Sequence, residues 1–325
     1  MLLSVLLFAV GLVLLIKGGD WFVDGATGIA KRFNLPDIVV GATVVSIGTT
    51  LPEVMVSTTG ALQGSGAMAY GNAIGSIICN TALIAAISIT CNPGPVNVKS
   101  MKTPAVFFLC SAAIYCLAAY ALGTFPRWLG FVMLGIFVVY MVLTVRNGMR
   151  NPDAAAEEEE EEGSKEKALW QELVLLVVGA AVIAVGANLL VEHGQIIALG
   201  LGVPETVVAL LFVALGTSLP ELVTTITSLK KGRASLGVGN VIGANVFNLV
   251  LVSGVAVSLA PFDVPCENTL LNTGLNLSLV FDIPVMLLVM SLMIFPALTT
   301  KKLHRWQGIL LLGIYAAFCV LQFIL

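Results

Sequence analysis

Gly48-Thr49-Thr50-Leu51-Pro52-Glu53 lies inside a long apolar segment, and the chain repeats it as Gly216-Thr217-Ser218-Leu219-Pro220-Glu221. A carboxylate in such a segment is costly and marks function by default. The two glutamates stand 168 positions apart. A proline within a helix has no N–H to donate, and its ring clashes with the carbonyl four residues back. Pro52 is therefore expected to free the Gly48 carbonyl and strain that of Thr49, and Pro220 to do the same at Gly216 and Thr217. Free carbonyls at membrane depth persist only beside protein, water or an ion. Thr49 precedes Glu53 by one helical turn, on the same face. Each copy thus offers a carboxylate, loosened carbonyls and hydroxyls within one turn, the hard oxygen donors that suit Ca²⁺ or Na⁺. One copy alone is also explained by a kinked packing helix with a neutral, hydrogen-bonded glutamate. Two matched copies favour the cation reading.

Composition points the same way. Of 325 residues, 58% are hydrophobic and only 11% charged, against about 25% charged in soluble domains. Apolar runs long enough to span a bilayer recur along the chain. Ten are expected, over 2–30, 36–62, 68–91, 103–123, 126–146, 169–198, 204–229, 235–260, 279–297 and 304–325. The fold class is therefore an all-α integral membrane protein with ten transmembrane helices. No basic stripe with interleaved aromatics suggests nucleic acid, and no obligate protein partner is evident. The cysteines at 79, 91, 110, 116, 266 and 319 show neither metal spacing nor a disulfide framework; they read as small core residues with free thiols. The first apolar run has no basic n-region, so a cleaved signal peptide is not expected. No nucleophile–base pair occurs within the spans, which argues against an enzyme.

If the spans alternate, the loops after spans 1, 3, 5, 7 and 9 share one side. They hold Lys31, Arg32, Lys99, Lys102, Arg146, Arg150, Lys165, Lys167, Lys230, Lys231, Arg233, Lys301, Lys302 and Arg305, whereas the opposite side holds only Arg127. By the positive-inside rule the basic side is cytoplasmic, which puts both termini outside the cytoplasm of a cell (inner) membrane protein. Residues 147–168, with the acid run Glu157 to Glu162, read as a solvated cytoplasmic linker.

The chain is also duplicated. Residues 11–80 align without a gap to 179–248, and roughly 21 of the 70 pairs are identical. Each half holds five spans, an odd number, so the halves are inverted, as in many secondary transporters whose site lies at midplane between them. The first half is 1–146, with its repeat around 36–91; the second is 169–325, with its repeat around 204–260. Spans 3 and 8 carry the other part of each repeat. In Gly71-Asn72-Ala73-Ile74-Gly75-Ser76-Ile77-Ile78-Cys79-Asn80, the residues Asn72, Ser76 and Asn80 share a helix face. Asn240 and Asn248 do so in Gly239-Asn240-Val241-Ile242-Gly243-Ala244-Asn245-Val246-Phe247-Asn248. Gly71/Gly75 and Gly239/Gly243 are GxxxG pairs that allow close helix contact. Beside two membrane glutamates, the asparagines read as neutral ion ligands. Asn245, opposite Ile77, reads as glue between helices. Lys17, Asp20 and Asp24 are spaced to pair with one another along span 1, or with Glu192 to line an ion access path. Asp282 before Pro284 reads as a helix cap.

These doubled motifs resemble the alpha repeats of the calcium:cation antiporters, nearest to the prokaryotic-type sodium/calcium exchangers, over nearly the whole chain. The resemblance implies two inverted five-helix repeats, with spans 1 and 6 moving against a fixed core to give alternating access. It implies Na⁺ and Ca²⁺ as transported ions and no cofactor. By position, Glu53 and Glu221 would be the calcium-ligating carboxylates, aided by the carbonyls of Thr49 and Thr217. Ser46, Thr50, Ser76, Asn80, Ala214, Ser218 and Asn248 would line flanking sodium sites. Ala214 opposite Ser46, and Ala244 where the first half has Ser76, leave the second half short of side-chain donors. Asn at 80 and 248, where proton- or potassium-coupled relatives tend to carry an acid, favours sodium coupling. The alternatives are a proton/calcium antiporter and a cation channel.

Overall fold

The computed structural model describes residues 2–150, 168–201, 216–265 and 275–324. Ten helices run through them: α1 Leu2–Arg32, α2 Asp37–Leu62, α3 Gly66–Cys91, α4 Val98–Leu122, α5 Arg127–Met149, α6 Leu169–Gly200, α7 Leu219–Lys230, α8 Ala234–Leu259, α9 Ser278–Thr300 and α10 Arg305–Ile324. Among the described residues, all but α7 are long and apolar enough to cross a bilayer. The expected seventh span begins within 202–215, outside the described residues, and α7 is its far end. Ala214, Cys266 and the acid run Glu157 to Glu162 lie outside the described residues too.

Two short strand pairs tie loops together. β1 (Gly94–Pro95), after α3, pairs antiparallel with β4 (Lys302–Leu303), after α9. β2 (Thr124–Phe125), after α4, pairs with β3 (Phe262–Asp263), after α8. Loops can pair only at the same end of the bundle. One pair joins two odd-numbered loops and the other two even-numbered loops, as ten alternating spans require.

Long helices α1 and α6 lie antiparallel. At 1.5 Å per residue α1 is about 46 Å long, more than the roughly 30 Å hydrocarbon thickness of a bilayer. Glycines set the crossing. A Cβ on Gly11 would fall 2.9 Å from the Gly186 carbonyl, and one on Gly179 would fall 2.9 Å from the Gly18 carbonyl. The 168-residue shift turns one contact into the other, which is the signature of a two-fold axis between inverted halves. In α8, Gly239 and Gly243 press against the backbone of Ile38 and Ala42 in α2, so this GxxxG pair does bring two helices together. Nothing among the described residues lies near a Cβ on Gly71 or Gly75; the twins of Ile38 and Ala42 fall within 202–215.

Helices α2, α3 and α8 are buried over most of their length, while α1, α5, α6 and α10 turn most of theirs outward. Trp21, Trp128, Trp170 and Trp306 are all exposed, three of them at helix starts, the usual place for interfacial tryptophan. Of the described cysteines only Cys79 is fully buried; Cys91 and Cys110 are exposed, so among them the core reading holds for one.

Two local readings are corrected. The span 1 carboxylates pair across helices instead of with Lys17: Lys231, just past α7, lies 2.7 Å from Asp24 and 3.9 Å from Asp20. One turn of α1 sets both acids beside that loop. Asp282 makes no capping bond; its carboxylate accepts from Gln322 of α10 at 2.6 Å, because the chain enters α9 already helical through a π turn, Ser278–Asp282. Arg233–Asp37 and Arg32–Glu172, both at 3.3 Å, complete a set of ion pairs at the odd-loop end. Lys231 and Asp24 are each partly exposed, so solvent screens them. Lys231→Met is expected to change thermal stability by no more than about 1 kcal/mol, read as a small melting shift in detergent.

Candidate functional site

The first motif sits in a helix with an irregular start. Residues Gly41–Val45 form a π turn, after which Ser46–Leu62 runs as α-helix straight through Pro52. Loss of one bond at Gly48 leaves that helix intact. The second copy behaves differently: Thr217 and Ser218 form a turn, and α7 starts at Leu219 with Pro220 in its first turn, where a missing N–H costs nothing. The π turn frees backbone oxygens, and side chains take them up. Tyr140 of α5 donates to the Ala42 carbonyl at 2.8 Å, and Ser46 donates to Gly41 at 2.8 Å and to the Asn240 carbonyl at 3.0 Å.

Helices α3 and α8 each contain a π turn that begins at the motif asparagine, Asn80–Ala85 and Asn248–Val252. Such turns gather at functional positions because they re-aim a side chain and loosen a carbonyl. Ser253 caps the Asn248 carbonyl at 2.9 Å.

The motifs converge. Glu53 and Glu221 are fully buried and near enough for each carboxylate to feel the other's charge. The Thr50 hydroxyl lies 3.5 Å from Glu221 Oε1. Both Glu53 oxygens, Glu221 Oε2, Ser218 Oγ and every side-chain N and O of Asn80 and Asn248 are buried without a hydrogen-bond partner. A buried polar group without a partner costs roughly 1–3 kcal/mol, more when charged, and native proteins seldom tolerate one. Asn80 opens a π turn that packs on α7, which carries Glu221 and follows directly on Ser218; Asn248 opens one that packs on α2, which carries Glu53, so these groups lie on elements that meet between the halves. Ser76 is buried nearby on α3, one turn before Asn80. Among the described residues no three His, Cys, Asp or Glu side chains converge, so a cation here would meet two carboxylates and otherwise neutral donors.

The asparagines, expected to act alike, divide into two kinds. Asn240 Oδ1 accepts from Thr49 at 3.1 Å, and its Nδ2 donates to Thr224 at 3.0 Å. Asn72 Oδ1 accepts from Thr217 at 3.4 Å, while its Nδ2 donates to Ser57 at 2.8 Å and to the Glu53 carbonyl at 3.2 Å. The 168-residue shift converts the Thr49–Asn240 bond into the Thr217–Asn72 bond. These two amides are clamps that fix each threonine to the opposite half; Asn80 and Asn248 are left free. Thr224, Ser57 and Tyr140 were missed in the sequence, although the Thr49/Thr217 symmetry hints at matched acceptors. Asn245 donates to Thr81 at 2.7 Å and to the Met290 sulfur at 3.0 Å, as glue should.

Known proteins share this plan. The family model described as sodium/calcium exchanger protein matches residues 3–146 and 172–324. An uncharacterized membrane protein of Methanocaldococcus jannaschii is 35% identical, covering 97% of this chain and 96% of its own length. The sodium/calcium exchanger MaX1 of Methanosarcina acetivorans is 31% identical over 98% of each chain. The solved sodium-calcium exchanger NCX_Mj superposes with a TM-score of 0.79 at 31% identity, covering 97% of both chains. Matched along most of its length, the chain belongs to the sodium/calcium exchanger family of multi-pass membrane antiporters.

Proposed function

We propose that the protein exports cytoplasmic Ca²⁺ across the cell membrane in exchange for entering Na⁺, by alternating access. Ca²⁺ is held by Glu53 and Glu221 with the carbonyls of Thr49 and Thr217. Na⁺ is held by the same carboxylates at sites lined by Ser46, Thr50, Ser76, Asn80, Ala214, Ser218 and Asn248. The observation that carries this reading is the group of buried, partnerless oxygens around two carboxylates. Their formal charge of −2 is neutralised by one Ca²⁺ or by two Na⁺, and both ions take oxygen ligands. Shared carboxylates make the ions compete, and competition is what antiport needs. The neutral amides at 80 and 248 support sodium over proton coupling. The inverted halves, 1–146 and 169–325, support exchange over a channel, because inverted repeats are the architecture of alternating-access transporters.

The odd-loop end is cytoplasmic in this reading, with both termini outside. The test is calcium efflux from proteoliposomes with external Na⁺ replaced by choline at fixed pH. Efflux is expected to stop in choline; efflux that follows a pH gradient instead would give the role to protons. If three Na⁺ exchange for one Ca²⁺, each cycle moves one net charge, worth about 2.3 kcal/mol per 100 mV. A valinomycin-clamped potassium potential should then speed or slow the flux according to its sign, and insensitivity to potential would rule out that stoichiometry.

A further inference from the structure

Cys79 precedes Asn80 and is 3% exposed. Its thiol lies beside the Ser218 hydroxyl and within electrostatic reach of Glu221. On its other side the Tyr315 hydroxyl of α10 donates to the sulfur at 3.8 Å. Ser218 Oγ and Glu221 Oε2 are both buried without a hydrogen-bond partner in the structure, and the sulfur lies beside the first of them. The 168-residue shift places Phe247 opposite Cys79, and the thiol therefore occurs in one half only.

We propose that Cys79 gives the cation site a soft donor. A thiophilic divalent cation is held between the Cys79 sulfur, the Ser218 oxygen and the Glu221 carboxylate, and it blocks exchange where a hard cation would be carried. The inference rests on the carboxylate pair being the transport site. Ca²⁺ and Na⁺ gain nothing from sulfur, because they take oxygen, whereas thiolate favours soft metals. On binding, the S–H bond breaks, its proton passes to solvent and a sulfur–metal bond forms; nothing is oxidised. Transport requires a bound ion to leave again, and the added bond slows that step.

The probe is Cd²⁺, with Mn²⁺ as the harder control. Both are titrated against sodium-dependent calcium flux in proteoliposomes of the unsubstituted protein and of Cys79→Ala, Cys79→Ser and Cys110→Ala, each scaled to its own uninhibited rate. The half-inhibiting Cd²⁺ concentration is expected to rise at least about tenfold in both Cys79 variants, equivalent to about 1.4 kcal/mol. The Mn²⁺ value should stay level, and Cys110→Ala, on an exposed thiol, should match the unsubstituted protein. An unshifted Cd²⁺ titration, or an equal shift with Mn²⁺, overturns the proposal. Should a Cys79 variant carry no flux, ultraviolet sulfur-to-cadmium absorption on purified protein decides: a signal smaller in Cys79→Ser than in the unsubstituted protein supports the proposal, and an equal one sinks it. Normal calcium flux in Glu53→Gln and Glu221→Gln would instead overturn the site reading on which the inference rests.

Discussion

Glu53→Gln and Glu221→Gln should each weaken calcium binding by at least about 30-fold, and sodium-dependent calcium flux should fall below detection at ordinary calcium concentrations. Removing one member of a buried charge pairing typically costs 2–5 kcal/mol, and tenfold in affinity corresponds to about 1.4 kcal/mol. Glutamine keeps the shape of the side chain and still offers one oxygen, so the loss measures charge and not packing. Both carboxylates are fully buried and neither has a cation within the protein: the ion pairs among the described residues use other acids. Fold stability should therefore not suffer. The ion-free glutamine variants are expected to melt no lower than the unsubstituted protein, because two facing carboxylates repel. What disappears is the stabilisation by ligand, which for a bound ion at 100 times its Kd is about 2.7 kcal/mol. Calcium should raise the melting temperature of the unsubstituted protein and leave either variant unmoved. A calcium-induced shift that survives in both would place the ion elsewhere.

These glutamates were legible in the sequence because cost and repetition coincide. An acid in an apolar span is expensive, and writing it twice at a fixed separation removes chance. The odd–even distribution of lysine and arginine likewise foretold which loops lie together, and the β1–β4 and β2–β3 pairs join just such loops. Contacts between the halves were less legible. Asn72, Asn80, Asn240 and Asn248 look equivalent along the chain, yet Thr49 and Thr217 reach across to two of them and leave two free. Only the relative placement of the halves makes that distinction. The π turns at Asn80 and Asn248 carry no composition of their own. They arise where tertiary packing favours a widened turn over a regular one. Lys231 lies at the odd-loop end, but its partners Asp20 and Asp24 are more than 200 positions away in the chain. Spacing within span 1 suggested a nearer lysine that geometry does not use.

Gly239→Val should abolish the folded protein, as judged by size-exclusion of the detergent-solubilised membrane fraction. A Cβ on Gly239 would be driven into the Ile38 carbonyl, and one on Gly41, from the opposite helix, into that of Leu236. Both obstacles are backbone, so no rotamer change relieves them. Ile38 cannot retreat easily, since it is buried two residues after Pro36 and beside Asp37, which is held by Arg233. Overpacking against side chains costs about 1–3 kcal/mol. Here α2 must part from α8, and that separation also strips Asn240 of Ser46 and Thr49. Each buried group so orphaned adds roughly 1–3 kcal/mol. The total exceeds the 4–5 kcal/mol that marks an exceptional single substitution. Gly313→Ala on α10 is the matched control, because nothing lies within 4 Å of a Cβ there, and it should express and transport normally. Gly239→Ala, with one methyl, belongs between them: recoverable protein with slowed exchange, because a displaced α8 carries Asn240 and Asn248 away from the α2 threonine and the carboxylates. Monodisperse Gly239→Val with full flux would mean that α2 and α8 are not packed this closely, and the clamp between Thr49 and Asn240 would fall with that packing.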